Sequence, residues 1–164
     1  MNEKIENNNL LKPKLLLVED DQITIDIVKR ILKNKYDIDS ARYGEDALEK
    51  AIENDYDAFL IDIGLSGKMN GITTTKELKK IKNNKNKPYI AVTAYVMPGD
   101  KKLFLSEGLT HYISKPFEFQ KLIDLIETAL KEANPKGIDS HWTSHYHKLK
   151  SLNACPTMGL LPIT

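Results

Sequence analysis

Three carboxylates in a row, Glu19, Asp20 and Asp21, follow the apolar run KLLLV, and a fourth, Asp62, follows FLI just before the loop GLSGKMNG. Two further polar groups close strand-like segments of their own: Thr93 after the apolar YIAV, with Ala94 next, and Lys115 after the mixed THYIS, with Pro116 next. Acids from two segments brought to one place repel unless a cation lies between them. An all-oxygen set suits Mg²⁺, which keeps several waters and takes one or two carboxylates. Lysine adds a movable point charge and threonine a hydroxyl donor. Together these residues describe a pocket for one carboxylate that becomes phosphorylated. Asp62 is the nucleophile, and the metal and Lys115 neutralise the oxygens of the transferred group.

Such a pocket requires a scaffold that brings four distant segments to one rim. The stretch 14–19 is a short continuous apolar run, and 21–34 then places Ile23, Ile27 and Ile31 at helical spacing, with Val28 and Leu32 beside them. The same alternation recurs: 36–41 with 44–54, 57–62 with 71–83, 88–93 with 98–108, and 110–115 with 118–133. Five strands alternating with five helices through short turns imply right-handed crossovers, and so a parallel sheet covered on both faces. The expected fold is α/β, a doubly wound five-stranded sheet in the flavodoxin-like order 2-1-3-4-5. In such a sheet ligands gather outside the carboxyl ends of the strands. Every polar group named above lies at such an end.

Composition narrows the function. The chain has 164 residues, 41% of them hydrophobic, enough for one sizeable core. Its 24 Lys and Arg against 23 Asp and Glu give a net charge of +1, so no electrostatic footprint calls for nucleic acid or an anionic membrane. The lysine-rich run 79–87 closes a helix and enters a loop, where lysine suits the helix dipole and solvent. One cysteine, Cys155, excludes an internal disulfide framework, and neither a signal peptide nor a membrane-length apolar run is evident, which places the protein in the cytoplasm. Residues 1–12 read as a disordered leader and 134–164 as an irregular tail, leaving 13–133 as the folded domain. The tail's His141, His145, His147 and Cys155 match no zinc spacing.

From about Lys14 to Ala133 the chain resembles the receiver domains of two-component response regulators, on four ordered motifs: LLLVEDD, FLIDIGLSGKMNGI, IAVTAYVMPGD and HYISKPF. The resemblance implies that Glu19 and Asp20 form the acidic pair, Asp62 is the phosphoacceptor, Thr93 the switch hydroxyl, Tyr112 the switch aromatic and Lys115 the phosphoryl-binding lysine. It also implies a cis peptide between Lys115 and Pro116, and a backbone metal ligand from the carbonyl of Gly64. Residues Gly64 and Tyr95 would flank the water that ends the signal. The loop from Asp62 to Gly71 is one residue longer than the commonest pattern, and Ser66 stands where many members carry proline. Glu19 replaces an aspartate, and its longer side chain reaches the metal through water, with Asp20 the direct ligand. Asp21 sits where a helix begins and suits an N-cap better than a metal bond.

The implied function is a module that takes a phosphoryl group from a phosphohistidine, on a histidine kinase or a histidine phosphotransfer protein, onto Asp62 with Mg²⁺. It would catalyse its own phosphorylation and slow dephosphorylation, and would switch a face that binds a downstream protein. A stand-alone protein and the receiver of a hybrid kinase both fit the sequence. Two other classes compete. A Mg²⁺-dependent phosphohydrolase using an aspartyl phosphate resembles DxDxT, but here Gly64 stands two after Asp62. A docking pseudo-receiver would have no use for the full set of acid, hydroxyl and lysine. A phosphate-binding P-loop is excluded because Met69, not Ser or Thr, follows Lys68.

Overall fold

A computed structural model gives the architecture, and it describes residues 12–94 and 97–135. Strands β1 (Lys14–Val18), β2 (Asp37–Ala41), β3 (Ala58–Ile61), β4 (Tyr89–Thr93) and β5 (His111–Ser114) alternate with helices α1 (Gln22–Leu32), α2 (Gly44–Glu53), α3 (Gly71–Lys80), α4 (Asp100–Ser106) and α5 (Phe119–Ala133). All four strand pairings are parallel, and the order across the sheet is β2-β1-β3-β4-β5, as the alternation implies.

Successive side chains of a strand point to opposite faces, so each apolar run feeds two cores. Leu16, Val18, Phe59, Ile61, Tyr89 and Ala91 meet Ala47 and Ala51 of α2, Leu78 of α3 and Phe104 of α4. Leu15, Leu17, Ala58, Leu60, Ile90 and Val92 meet Ile25, Val28 and Leu32 of α1 and Leu122, Ile126 and Ala129 of α5. This two-sided burial explains why the inner strands β1, β3 and β4 read as continuous apolar runs, whereas the edge strands β2 (DIDSA) and β5 (HYIS) are mixed and only partly buried. Phe59 and Tyr89 stack with ring centroids 4.7 Å apart, which fixes β3 beside β4 on the first face.

Two elements differ from the sequence reading. On α1 the packed stripe is Ile25, Val28 and Leu32, whereas Ile23 is 69% and Ile27 44% exposed. Six of its residues are apolar, enough for more than one stripe, and the tight entry from β1 decides which one faces the sheet. The third helix stops at Lys80 rather than running to residue 83, because Ile81 turns to extended backbone (ψ 125°) and the following segment closes on itself through Asn84 N–H to the Ile81 carbonyl. Tyr95 lies outside the described residues, as do 1–11 and, in the tail, 136–164. Among the described residues no helix is long and apolar enough to cross a membrane.

Candidate phosphoacceptor site

At the carboxyl end of the sheet, β1 and β3 are adjacent, and their last residues run directly into acids. The ladder continues one step beyond each strand: Glu19 N–H donates to Ala41 and Asp62 N–H to Val18, at 3.0 and 2.9 Å. That extra step holds the backbone of both acids against the sheet. The α3 entry then packs against the same edge. Its Gly71 N–H donates to the Ile63 carbonyl at 3.2 Å, and a Cβ at Gly71 would run into the Asp62 carbonyl and Ile63 Cα. Asn70 caps this helix by accepting from Thr73 N–H at 2.9 Å.

Three side chains meet at the rim. Lys115, just past β5, reaches back so that its Nζ donates to Glu19 Oε2 at 2.5 Å and to Asp62 Oδ2 at 3.1 Å. Its own N–H donates to the Thr93 carbonyl at 2.8 Å, tying the end of β5 to the end of β4. The peptide between Lys115 and Pro116 is cis. Asp62 Oδ1 accepts from Gly64 N–H at 2.9 Å, so both oxygens of this nearly buried carboxylate have donors. Glu19 is only 1% exposed, and its Oε1 accepts from Asp21 N–H at 3.2 Å.

Asp20 and Asp21 go separate ways. Asp21 caps α1, its Oδ2 accepting from Thr24 N–H at 2.8 Å and Thr24 Oγ1 at 2.6 Å. Asp20 turns toward the pocket, and one carboxylate oxygen from each of Glu19, Asp20 and Asp62 lies within 4.8 Å of the others. Burial pushes the Glu19 carboxyl above the usual range, despite the Lys115 bond that favours its charge. The Ser66 hydroxyl bond holds Asp20 below the usual range. For Lys115, burial disfavours the charge, but the Glu19 hydrogen bond and the Asp62 charge outweigh it and raise its pKa. Three converging acids face one ammonium. That hard-oxygen set, with negative charge in excess, fits a divalent cation of the Mg²⁺ class.

Thr93 ends β4 fully buried, and Tyr112 on β5 is half-buried against Phe104 of α4, ring centroids 6.5 Å apart, with Lys101 Nζ 5.8 Å from its ring. Gly64 is exposed at the rim. The structure thus brings Glu19, Asp20, Asp62 and Lys115 together, with Thr93 at the neighbouring strand end. It also brings in two residues to which the sequence reading gave no role at the site. Arg42 donates through Nη2 to the Asp20 carbonyl at 2.9 Å, and Ser66 donates to Asp20 through both N–H and Oγ. The signal for Ser66 was visible as a hydroxyl residue where the family pattern has proline; nothing in the sequence singled out Arg42.

Comparison with known proteins agrees with this geometry. The model of the response regulator receiver domain matches residues 15–127. The chain is 32% identical over 120 residues to the polar-differentiation response regulator DivK of Brucella ovis, covering 73% of this chain and 97% of that protein. It is likewise 32% identical over 135 residues to hybrid signal transduction histidine kinase I of Dictyostelium discoideum, covering 77% of this chain but only 8% of that much longer protein. Among solved structures, the receiver domain of a Pseudomonas aeruginosa sensor histidine kinase superposes with a TM-score of 0.67 at 28% identity, covering 73% of this chain and 98% of that one; its structure holds a magnesium ion coordinated in the active site cleft. A doubly wound sheet, an acidic rim with a bridging lysine and a match across the whole folded core lead to one assignment: the chain belongs to the response regulator receiver domain family, the phosphoacceptor modules of two-component signalling.

Proposed function

We propose that Asp62 is the phosphoacceptor. The observation that carries this reading is the position of Lys115 Nζ, which bridges Asp62 Oδ2 and the buried Glu19 from a third strand end. A carboxylate so placed is nucleophilic, nearly buried and faced by a cation that can follow the charge as it moves onto phosphoryl oxygens. A carboxylate oxygen of Asp62 attacks phosphorus, an O–P bond forms, and the P–N bond of a phosphohistidine breaks with its electron pair going to the imidazole nitrogen. Asp20, Asp62 and the Gly64 carbonyl would hold Mg²⁺, with Glu19 reaching it through water. The ion supplies the charge neutralisation that lets an anionic donor approach two carboxylates. Thr93 and Tyr112 form the switch, and Gly64 and Tyr95 set how long the acyl phosphate survives.

The donor in this reading is a histidine kinase or a histidine phosphotransfer protein, and the output is a change in a protein-binding face. The domain spans 13–133, and the single cysteine, which allows no internal disulfide, favours a reducing compartment such as the cytoplasm. Neither the phosphohydrolase nor the pseudo-receiver gains support, since no second acid stands two after Asp62 and the acid, hydroxyl and lysine set is complete. Incubation with acetyl phosphate tests the assignment by intact mass. One phosphoryl group should appear with Mg²⁺ and none with excess EDTA, and Asp62→Asn should abolish it. Undiminished labelling of that variant would remove Asp62 from the account.

A further inference from the structure

We infer that Ser66 is a positioning residue for the metal site, one that fastens Asp20 so that its free oxygen faces the cation; this rests on the reading of Asp20 as a metal ligand. Both donors of Ser66 converge on the same atom. Its N–H reaches Asp20 Oδ2 at 3.0 Å and its Oγ reaches it at 2.5 Å, while Oδ1 is not engaged by Ser66. An aspartate on a strand end has two side-chain torsions to settle. A two-pronged grip on one oxygen settles both and leaves the other for a ligand, as outer hydrogen bonds do for metal-bound side chains generally.

The loop is shaped to deliver that grip. Gly67, next along, has φ +107°, a left-handed conformation that L side chains rarely adopt. The Tyr43 ring lies 3.4 Å from where a Gly67 Cβ would sit, so the turn lies against the β2–α2 connection. On the other side of Asp20, Arg42 holds the backbone by donating to its carbonyl at 2.9 Å. Main chain and side chain of Asp20 are therefore fixed from two different loops. Proline at position 66 could supply neither donor. The same grip links the end of β1 to the loop that carries Asp62 and Gly64, so occupation of the cation site is felt directly in that loop.

The experiment is Mg²⁺ titration of the full chain, without phosphodonor, followed by calorimetry and by amide NMR shifts of the 62–71 loop. Ser66→Ala removes the hydroxyl and keeps the N–H, and should weaken Mg²⁺ binding by about tenfold, the low end of what partners orienting a metal ligand are worth. Ser66→Thr keeps the hydroxyl and should bind within about twofold of wild type. Asp20→Asn is the control for the underlying reading and should lose most of the affinity. If Asp20→Asn weakens binding while Ser66→Ala binds like wild type, the positioning role is overturned and the metal site stands. If Asp20→Asn itself binds normally, the metal reading fails. Equal weakening in the alanine and threonine variants would show a mere loop requirement and also overturn the inference. Ser66 is exposed, and unchanged melting temperatures in the two variants would separate the effect from folding.

Discussion

Removing the Lys115 ammonium tests how the site is held together before any ligand arrives. Glu19 is 1% exposed, and its nearest cation is Lys115 Nζ at 2.5 Å, with the Asp62 carboxylate raising its cost of ionisation. In Lys115→Met the stem is roughly conserved and the charge is lost, so Glu19 and Asp62 face one another without a counter-ion. Breaking a buried pair from one side costs about 3–5 kcal/mol. The Lys115 side chain keeps 20% exposure, which lowers the expectation to about 2–4 kcal/mol. Proton uptake by Glu19, already favoured by burial, caps the loss. Urea unfolding at neutral pH in excess EDTA measures it. The double variant Glu19→Gln, Lys115→Met replaces the stranded acid with a neutral isostere and should recover at least half of the loss, a coupling that only a direct interaction produces. A loss below about 0.5 kcal/mol, or no recovery in the double variant, would refute the view that this ion pair holds the site.

Three further outcomes follow from the same structure. Gly71→Ala places a methyl group against the Asp62 carbonyl and Ile63 Cα, so it should destabilise by about 1–3 kcal/mol and slow labelling by acetyl phosphate, although helix propensity alone predicts a gain of about 1 kcal/mol; urea unfolding decides the sign. Thr93→Ala should still accept phosphate but leave the amide shifts around Tyr112 and Phe104 nearly unchanged on phosphorylation, and wild-type shift changes there would contradict the switch role. Asp39, partly buried, is nonetheless held below the usual carboxylate range by hydrogen bonds from Tyr56 and Lys14. Its contribution is therefore present above that range and is lost as pH falls through the lowered value. Tyr56→Phe removes the 2.7 Å bond and should cost about 1 kcal/mol at pH 7 but less at pH 3, which urea unfolding at both pH values checks.

What could be read from the chain depended on how local the determinant was. The sheet was legible because its three inner strands are short apolar runs that alternate with helical periods, and because Asp62 and Thr93 stand at the ends of such runs; the edge strands DIDSA and HYIS, and Lys115 after the latter, were placed by their position in that alternation. Rim residues came with the strand ends. The buried face of α1 was not legible, since Ile23 and Ile27 are as apolar as Ile25 and only the approach from β1 selects between them. Nor was the end of α3, where lysines continue a helical composition past the point at which Ile81 becomes extended. Within the site, the acids could be assigned by type but their partners could not. The direct bond between Glu19 and the Lys115 ammonium follows from how far a lysine just past β5 can reach across the sheet, which residue types at strand ends do not encode. The Ser66 grip depends on the path of a loop with a left-handed glycine, a property that spacing does not encode.

In this reading Asp62 alone among four carboxylates takes the phosphoryl group, an assignment that can be read out chemically. Its most direct test is to label the protein with acetyl phosphate and Mg²⁺, reduce the acyl phosphate with borohydride, and sequence the peptides by mass spectrometry. Reduction converts a phosphorylated aspartate to homoserine and leaves free carboxylates unchanged, so the reacted position is written into the chain. Homoserine is expected at position 62, with aspartate retained at positions 20 and 21. Homoserine at either of those positions, or aspartate retained at 62 in protein shown by intact mass to carry the label, would contradict the assignment.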